Sequence, residues 1–587
     1  MFKFEKRKKR QSTRLMDTKM AEKETKTKSS LRFKPYAQDR VVHLPVLLSE
    51  LVAENALVQI INKLVDGLEM SVLESYYSGQ GHPPYHPKML LKVWVYGYCT
   101  KIYTCRPLAQ KLREDLCFMW LSGCQRPCFK TLSSFRGVRM QGMIPKCRDD
   151  LFKQVLLYLV EQGYIDLEDL YVDGSKWGGN NNKHKIIWSK NTARYKAAVL
   201  ERIEAFLEEL SSIQAREDER YGQKDLATHC EAGIDSELQS SELRATIKEL
   251  NEVISEKRTQ AQIEGTSIRE ASGALSKIHT QLKNEATKLE KYETQEESLA
   301  GRNSYGKTDE DATGMRMKDG QLAAGYNTQI TTSNRNIVNA TVHSSGSDSP
   351  TLPPHLEKME ERFEGIVGQD WHPCLTADAG YGSEENYELL EHKDIKGFIK
   401  YPLWFKEKTG KLAKEKYRRE NWLYHQEEDY FLCPNEVKLV FAEEKTLSTK
   451  NGYNRKMRVY KAQGCKGCPY FKDCRSSKAA LDSDRTIWIS RKLEQHKEVM
   501  KERLDTEEGR EKRSNRGTEV ETPFGDIKHN MGHHRFILRG KEKVYIEFLL
   551  LAVAYNIRKI HCEQTGKWRE YYAQRQAKRN QQTKKRA

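Results

Sequence analysis

What this chain of 587 residues lacks narrows it first. It has no apolar run long enough to cross a bilayer. The longest, Phe548–Ile557, is about half of the ~20 residues a spanning helix needs, so no membrane partner is expected. The opening stretch MFKFEKRKKRQSTRLMDTKMAEKETKTK has no apolar core of the kind a secretory signal carries, and a cytoplasmic location is expected. The 13 cysteines are odd in number and scattered through a chain without an export signal, which argues against a disulfide framework. Acidic residues are outnumbered, 83 against 100 Lys and Arg, and the net charge of +17 favours a polyanionic partner such as nucleic acid.

Proline is absent from residues 192–300, a segment rich in Glu, Lys, Ala and Leu. There Leu243, Ile247, Leu250 and Ile254, and again Leu275, Ile278, Leu282 and Leu289, recur at three- and four-residue spacings. The spacing predicts a coiled-coil-like helical hairpin turning near Gly265. Other zones follow from composition. Residues 1–35 form a basic arm, expected to be solvated and disordered, and 566–587 a basic tail. Residues 36–165 are mostly helical, with Pro87 suited to a first helical turn. Two short helices there, RPLAQKLREDLCFMWLSG and FKTLSSFRGVRM, suit either a helix-turn-helix DNA reader presenting Lys130, Arg136 and Arg139 or a plain helical bundle. Residues 301–400 alternate short strands and helices, 401–500 are aromatic, basic and cysteine-bearing, and 501–565 are helix-rich.

Two apolar runs end on aspartate beside small residues: LYVDGS at Asp173 and CLTADAGYG at Asp378. Two strands stopping in this way bring both carboxylates to one sheet edge, where small residues let a phosphate or metal approach. Oxygen ligands suit Mg²⁺ or Mn²⁺. The bland alternative for each is a turn residue. In RSNRGTEVETPFGDIKHNMGHHRF, Glu521 and Lys528 are seven apart and share a helix face about two turns apart. A solvated helix face is the plain reading.

Taken in order, YVDGSKWGGNNNKHKIIW, NSYGKTDEDATGMRMKDGQLAAGYNTQI, TADAGYGSEENYELLE, VETPFGDIKHNMGHHRFILRGKEKV and AYNIRK resemble the DDE transposases of bacterial insertion sequences, specifically the insertion sequence 1182 family. The likeness covers roughly residues 35–565. It implies an α/β RNase H-like catalytic core, at 166–191, 301–400 and 501–565, in which Asp173, Asp378 and Glu521 hold two divalent metals, Mg²⁺ or Mn²⁺. The helical segment 192–300 and the cysteine-bearing segment 401–500 are then insertions, and 36–165 a helical DNA-binding region. Lys528 would hold a phosphate. Lys183, His533 and Arg535 are further expected phosphate contacts, while Trp188 reads as core or as a base-stacking ring. The partner would be double-stranded DNA, both the element's ends and its target, bound near the nucleoid by a homodimer across paired ends.

One departure stands out. Related transposases often show Tyr-x2-Arg-x3-Glu-x6-Lys around the glutamate; here Ser514 and Gly517 hold the Tyr and Arg places. Arg513 and Arg516 lie one residue upstream with the right mutual spacing, which puts a phosphate role for Arg516 in doubt. Glu519 competes with Glu521 but loses the Lys spacing.

Cys465-x2-Cys468-x5-Cys474, with Cys433 upstream, offers four thiols for a structural zinc; the alternative is reduced, partly buried thiols. Two rival functions remain: a metal-dependent nuclease on the same core that cuts without joining, and a DNA-binding protein from an inactive element.

Overall fold

The structure is a computed structural model that describes residues 34–566, apart from 39–46, 55, 69–70, 76, 78–81, 141–144, 183–184, 222–237, 369, 450 and 476–482. Almost all of the expected basic arm and tail, and Lys183, lie outside the described residues.

The N-terminal region is helical, as its spacing predicts. Helix Pro87–Cys99 starts on the expected proline, and His86 caps it by accepting from Lys88 N at 3.2 Å. It is buried nearly all round, through Leu90, Leu91, Val93, Trp94 and Tyr98. A helix with no polar face needs partners on every side. One of them is the C-terminal helix Lys541–Gln564: Cys99 Sγ donates to Ala554 O and Arg558 Nη1 to Cys99 O. The chain's first and last long helices therefore share one apolar core. The expected first short helix is broken by Asp115, which ends Cys105–Glu114 and caps Leu116–Leu121.

The strands up to residue 400 are β1 (Asp169–Gly178), β2 (Ile186–Trp188), β3 (Ser304–Gly306), β4 (Thr313–Arg316), β5 (Leu322–Ser333), β6 (Asn336–His343), β7 (Cys374–Ala377) and β8 (Lys396–Ile399). In the main sheet β1 lies between β5, antiparallel, and β7, parallel; β8 extends it in parallel, and β6 and β4 share the far edge of β5. A two-residue turn joins β5 to β6, with Asn334 and Arg335 both at positive φ as a twisted hairpin requires. Only one of the two aspartate strands stops at its carboxylate. β7 does, but β1 runs on through Asp173 to Gly178, because β5 keeps offering partners as far as Gly178↔Gly325.

Between β2 and β3, which pair with each other, the proline-free segment forms three helices: Ser189–Tyr221, Ser240–Glu264 and Ile268–Leu299. Gly265 reverses the chain in a left-handed cap at φ +69°, as expected. The predicted hairpin thus gains a third helix, whose Val199, Ile203 and Leu210 join the seam of Leu243, Ile247, Leu250, Leu282 and Leu289. An isolated hairpin leaves one side of such a seam wet, and the third helix covers it. The cysteine-bearing segment folds into a second, antiparallel sheet of β9 (Leu423–His425), β10 (Tyr430–Leu432), β11 (Lys438–Ser448), β12 (Asn454–Ala462) and β13 (Thr486–Ile489).

Candidate active site

The register of the main sheet sets the site. β1 and β7 pair in parallel up to Val172↔Ala377, so the next residue on each, Asp173 and Asp378, stands at the same level on neighbouring strands. Adjacent strands lie about 4.8 Å apart. Asp378 leaves the sheet and caps the short turn Ala379–Tyr381 by accepting from Ala379 N; Asp173 accepts from Gly174 N at 2.9 Å.

Helix Glu507–Gly525 crosses this edge. From it Arg516 places Nη1 3.5 Å from Asp173 Oδ2 and Nη2 3.5 Å from Asp378 Oδ2, so one guanidinium spans both carboxylates. Burial pushes the Asp173 carboxyl up to about 6, against the pull of Arg516 and the Gly174 amide; Asp378 and Asp348 push the same way as burial. A carboxylate pair that raises its own proton affinity is a place where positive charge is wanted.

Lys528 follows on a π-turn, Asp526–Asn530, which shifts it around the helix axis. Its Nζ donates to Ser175 Oγ at 2.6 Å and to Lys176 O at 3.0 Å, and lies 3.9 Å from the centre of the buried Trp177 ring. Burial first and Lys318 second, against the opposing pull of Asp173, lower its pKa to about 8. Trp177 is fixed by Phe524, Phe536 and Phe548 and by a hydrogen bond from Nε1 to His533 O.

Two family descriptions match the chain. One, a transposase domain, matches residues 46–137, and the other, a transposase DDE domain, matches residues 432–561. Both matched segments are transposase domains, the second of the DDE type. No curated protein matches the chain. Both matches are consistent with the insertion sequence 1182 family. The DDE match takes in Glu521 and Lys528, whereas Asp173 and Asp378 lie outside it.

The other expected site residues divide into those near the aspartates and those held elsewhere. Glu521 is exposed, and among the described residues no hydrogen bond or ion pair ties it to Asp173 or Asp378. Five residues is about 140° around a helix, so Glu521 and Arg516 leave the helix in different directions. Glu519 turns the other way and accepts from Arg335 N in the β5–β6 turn.

His533, an expected phosphate contact, is 2% exposed and holds Glu547, itself 0% exposed, at 2.9 Å. Glu547 also accepts from Ile537 N and Leu538 N, so the pair closes a turn. Arg535 is exposed; it donates to Gly179 O and Asn181 O, bracing the loop after β1. Arg136 is 2% exposed, bonded to Tyr98 Oη and Tyr103 O and stacked on Trp94, so it cannot read DNA; Arg139 stacks on Tyr77. Lys130 is exposed. Half-buried Trp188 packs in β2, its ring edge close against Gly314.

Cys433, Cys465 and Cys474 pack on one apolar cluster of the second sheet, and Arg485 N donates to Cys465 Sγ at 3.3 Å. Burial raises the Cys474 thiol, Arg485 opposes it, and Cys433, Cys465 and Cys468 push it further up, so the four share one neighbourhood. As they lie, no three His, Cys, Asp or Glu among the described residues form a metal-holding group. No described helix is long and apolar enough to cross a membrane.

Sequence reasoning missed Asp348, which sits beside the two aspartates. SGSDSP reads as a plain turn, and only the folded sheet brings it in.

Proposed function

We propose that this chain is a transposase that binds the ends of its insertion sequence, cuts phosphodiester bonds there and joins the freed 3′-hydroxyls to target DNA. The observation that carries the reading is the guanidinium-bridged pair Asp173–Asp378 at the ends of adjacent parallel strands, with Lys528 beside it. The order β6-β5-β1-β7-β8, antiparallel on one side of β1 and parallel on the other, supports an RNase H-like core.

The donor set fits divalent cations. Two carboxylates already gather around one positive charge, and oxygen ligands of this kind suit Mg²⁺ or Mn²⁺. Asp173 and Asp378 would hold two such ions, with Glu521 completing the set from the helix. When bound, paired ions activate the attacking oxygen and take charge on the leaving one. The protein's own groups do the rest. Lys528 meets a phosphate oxygen as a point charge, held by Ser175 and by the Trp177 ring. Arg516 neutralises the aspartates before the cations arrive. In the first reaction water attacks the phosphorus and the 3′-oxygen leaves with the proton balance closed by solvent. In the second that 3′-hydroxyl attacks a target phosphate and displaces a new 3′-oxygen, with no covalent protein intermediate.

Around this core, exposed Lys130, together with Lys183, would serve backbone phosphates of double-stranded DNA, and a dimer would pair the two ends. Cys433, Cys465, Cys468 and Cys474 would hold a structural zinc; metal analysis of reduced protein finding none removes that assignment.

The test supplies duplex element ends with Mg²⁺, then pre-cut ends with a free 3′-hydroxyl and target DNA. Cleavage and joined product are expected from the intact chain and neither from Asp173→Asn or Asp378→Asn. Cutting without joining would convert the reading to a nuclease, and cutting by the aspartate variants would end it.

A further inference from the structure

Asp348 lies on the loop between β6 and the helix Leu352–Phe363, far in sequence from both aspartates. The residues around it are fitted to it. Asn327 Nδ2 donates to Asp348 Oδ1 at 2.7 Å and Gln329 Nε2 to the same oxygen at 3.2 Å; both donors are fully buried on β5, where Gln329 pairs with Gly174. Gln329 in turn accepts from Tyr381 Oη, in the turn that Asp378 caps. The carboxylate thus has a fixed orientation.

Both glycines behind the two aspartates lie against it. A Cβ on Gly174 would run into Gln329 Nε2 and stand 2.7 Å from Asp348 Oδ1, while one on Gly380 would make ordinary contact with Asp348 Oδ2 at 3.4 Å. Gly174 has no positive φ, so space rather than backbone freedom explains it. One Asp348 carboxylate therefore faces the residue after Asp173 with one oxygen and the second residue after Asp378 with the other.

One unsatisfied polar atom points to a missing ligand. Asn327 is 0% exposed, and the Oδ1 of the amide that grips Asp348 has no hydrogen-bond partner. A buried acceptor beside a carboxylate is costly unless a cation or its water meets it.

Resting on the reading above, we propose that Asp348 is a further carboxylate of the divalent-cation site, facing the Asp173–Asp378 pair from the β6 side, directly or through a metal-bound water. Hard cations take six or more oxygens, and a third fixed carboxylate supplies one that neither strand end can.

The full chain is titrated with Mn²⁺ alone, without DNA, by electron paramagnetic resonance, and Mg²⁺ dependence of end cleavage is measured in parallel. Asp348→Asn keeps an oxygen for Asn327 and Gln329, so the fold is expected to hold. It should weaken Mn²⁺ binding at least tenfold and raise the Mg²⁺ needed for half-maximal cleavage. Asp348→Glu retains the charge but advances it by a methylene, and should fall between the two; it decides the matter if Asp348→Asn does not fold. Mn²⁺ binding and Mg²⁺ dependence within twofold of the unaltered chain in a folded Asp348 variant would overturn the assignment. Asp173→Asn separates the two claims. If it loses Mn²⁺ while the Asp348 variants do not, only Asp348 falls; if it binds and cuts normally, the parent reading falls.

Discussion

Lys528 offers the sharpest test of how the site handles phosphate. Its ammonium is already placed, by Ser175 Oγ, Lys176 O and the Trp177 face, so binding DNA need not order it. Unit charges about 4 Å apart attract by about 4 kcal/mol at an effective dielectric constant near 20, and a hydrogen bond to a charged group nets about 1.5–3 kcal/mol. Lys528→Met keeps the stem over Trp177 and removes the charge. The kcat/KM for cleavage of a duplex end should fall about 10- to 150-fold. The pH profile carries a second signature. Burial first, then Lys318, brings this ammonium to about 8, so it is charged below that pH and neutral above. The Lys528-dependent part of kcat/KM, which reports the free enzyme, should decline above about pH 8. Lys528→Arg keeps its charge there, and its profile should lose that falling limb even if its rate is lower. A Lys528→Met enzyme within about threefold of the parent, with the limb still near pH 8, would show that the charge does not act on the phosphate.

Other consequences are open to measurement. Glu547→Ala strands His533 and the Ile537 and Leu538 amides, and should cost about 3–5 kcal/mol in urea unfolding, with faster hydrogen exchange at those amides; Glu547→Gln should cost less. His86 can cap its helix only when neutral. Burial, then Lys88 and Lys92, lowers its folded pKa to about 4, below the unfolded 6.5, so its contribution is present above pH 6.5 and is lost as pH falls towards 4. The loss should be about 1–2 kcal/mol after allowance for its partial exposure, and His86→Asn, which caps without titrating, should unfold with a flatter pH dependence. Arg136→Met should lower the unfolding temperature and leave the salt dependence of DNA affinity unchanged. Lys130→Ala should do the reverse, reducing the salt slope by about 1 in fluorescence anisotropy.

How far the site was legible can be followed residue by residue. The alternation of short strands and helices expected over residues 301–400 was legible: in strand Leu322–Ser333, β-branched and aromatic residues run between clear turn signals. Helix Glu384–His392 follows the same alternation, and the structure adds its Ser383 cap. The basic residues were not legible. Lys130 and Arg136 look alike in FKTLSSFRGVRM, yet one is in solvent and the other stacks on Trp94, since burial of a guanidinium depends on Tyr98 and Tyr103 arriving from another helix. The partners of His533 and Arg535 were hidden for the same reason: Glu547 and the Gly179 carbonyl come from other parts of the chain.

The sequence alone determined the local pieces: apolar runs leading to Asp173 and Asp378, a proline-free segment that must be helical, and a family likeness carried by ordered motifs. Tertiary structure decided which charges meet. The parallel register of β1 with β7 levels the two aspartates, the helix Glu507–Gly525 delivers Arg516 between them, and the β6 loop brings Asp348 into space left by Gly174. Periodicity records only how residues a few places apart share a face. Electrostatic partnership is set by through-space distance and burial, and those exist only once the sheet has closed.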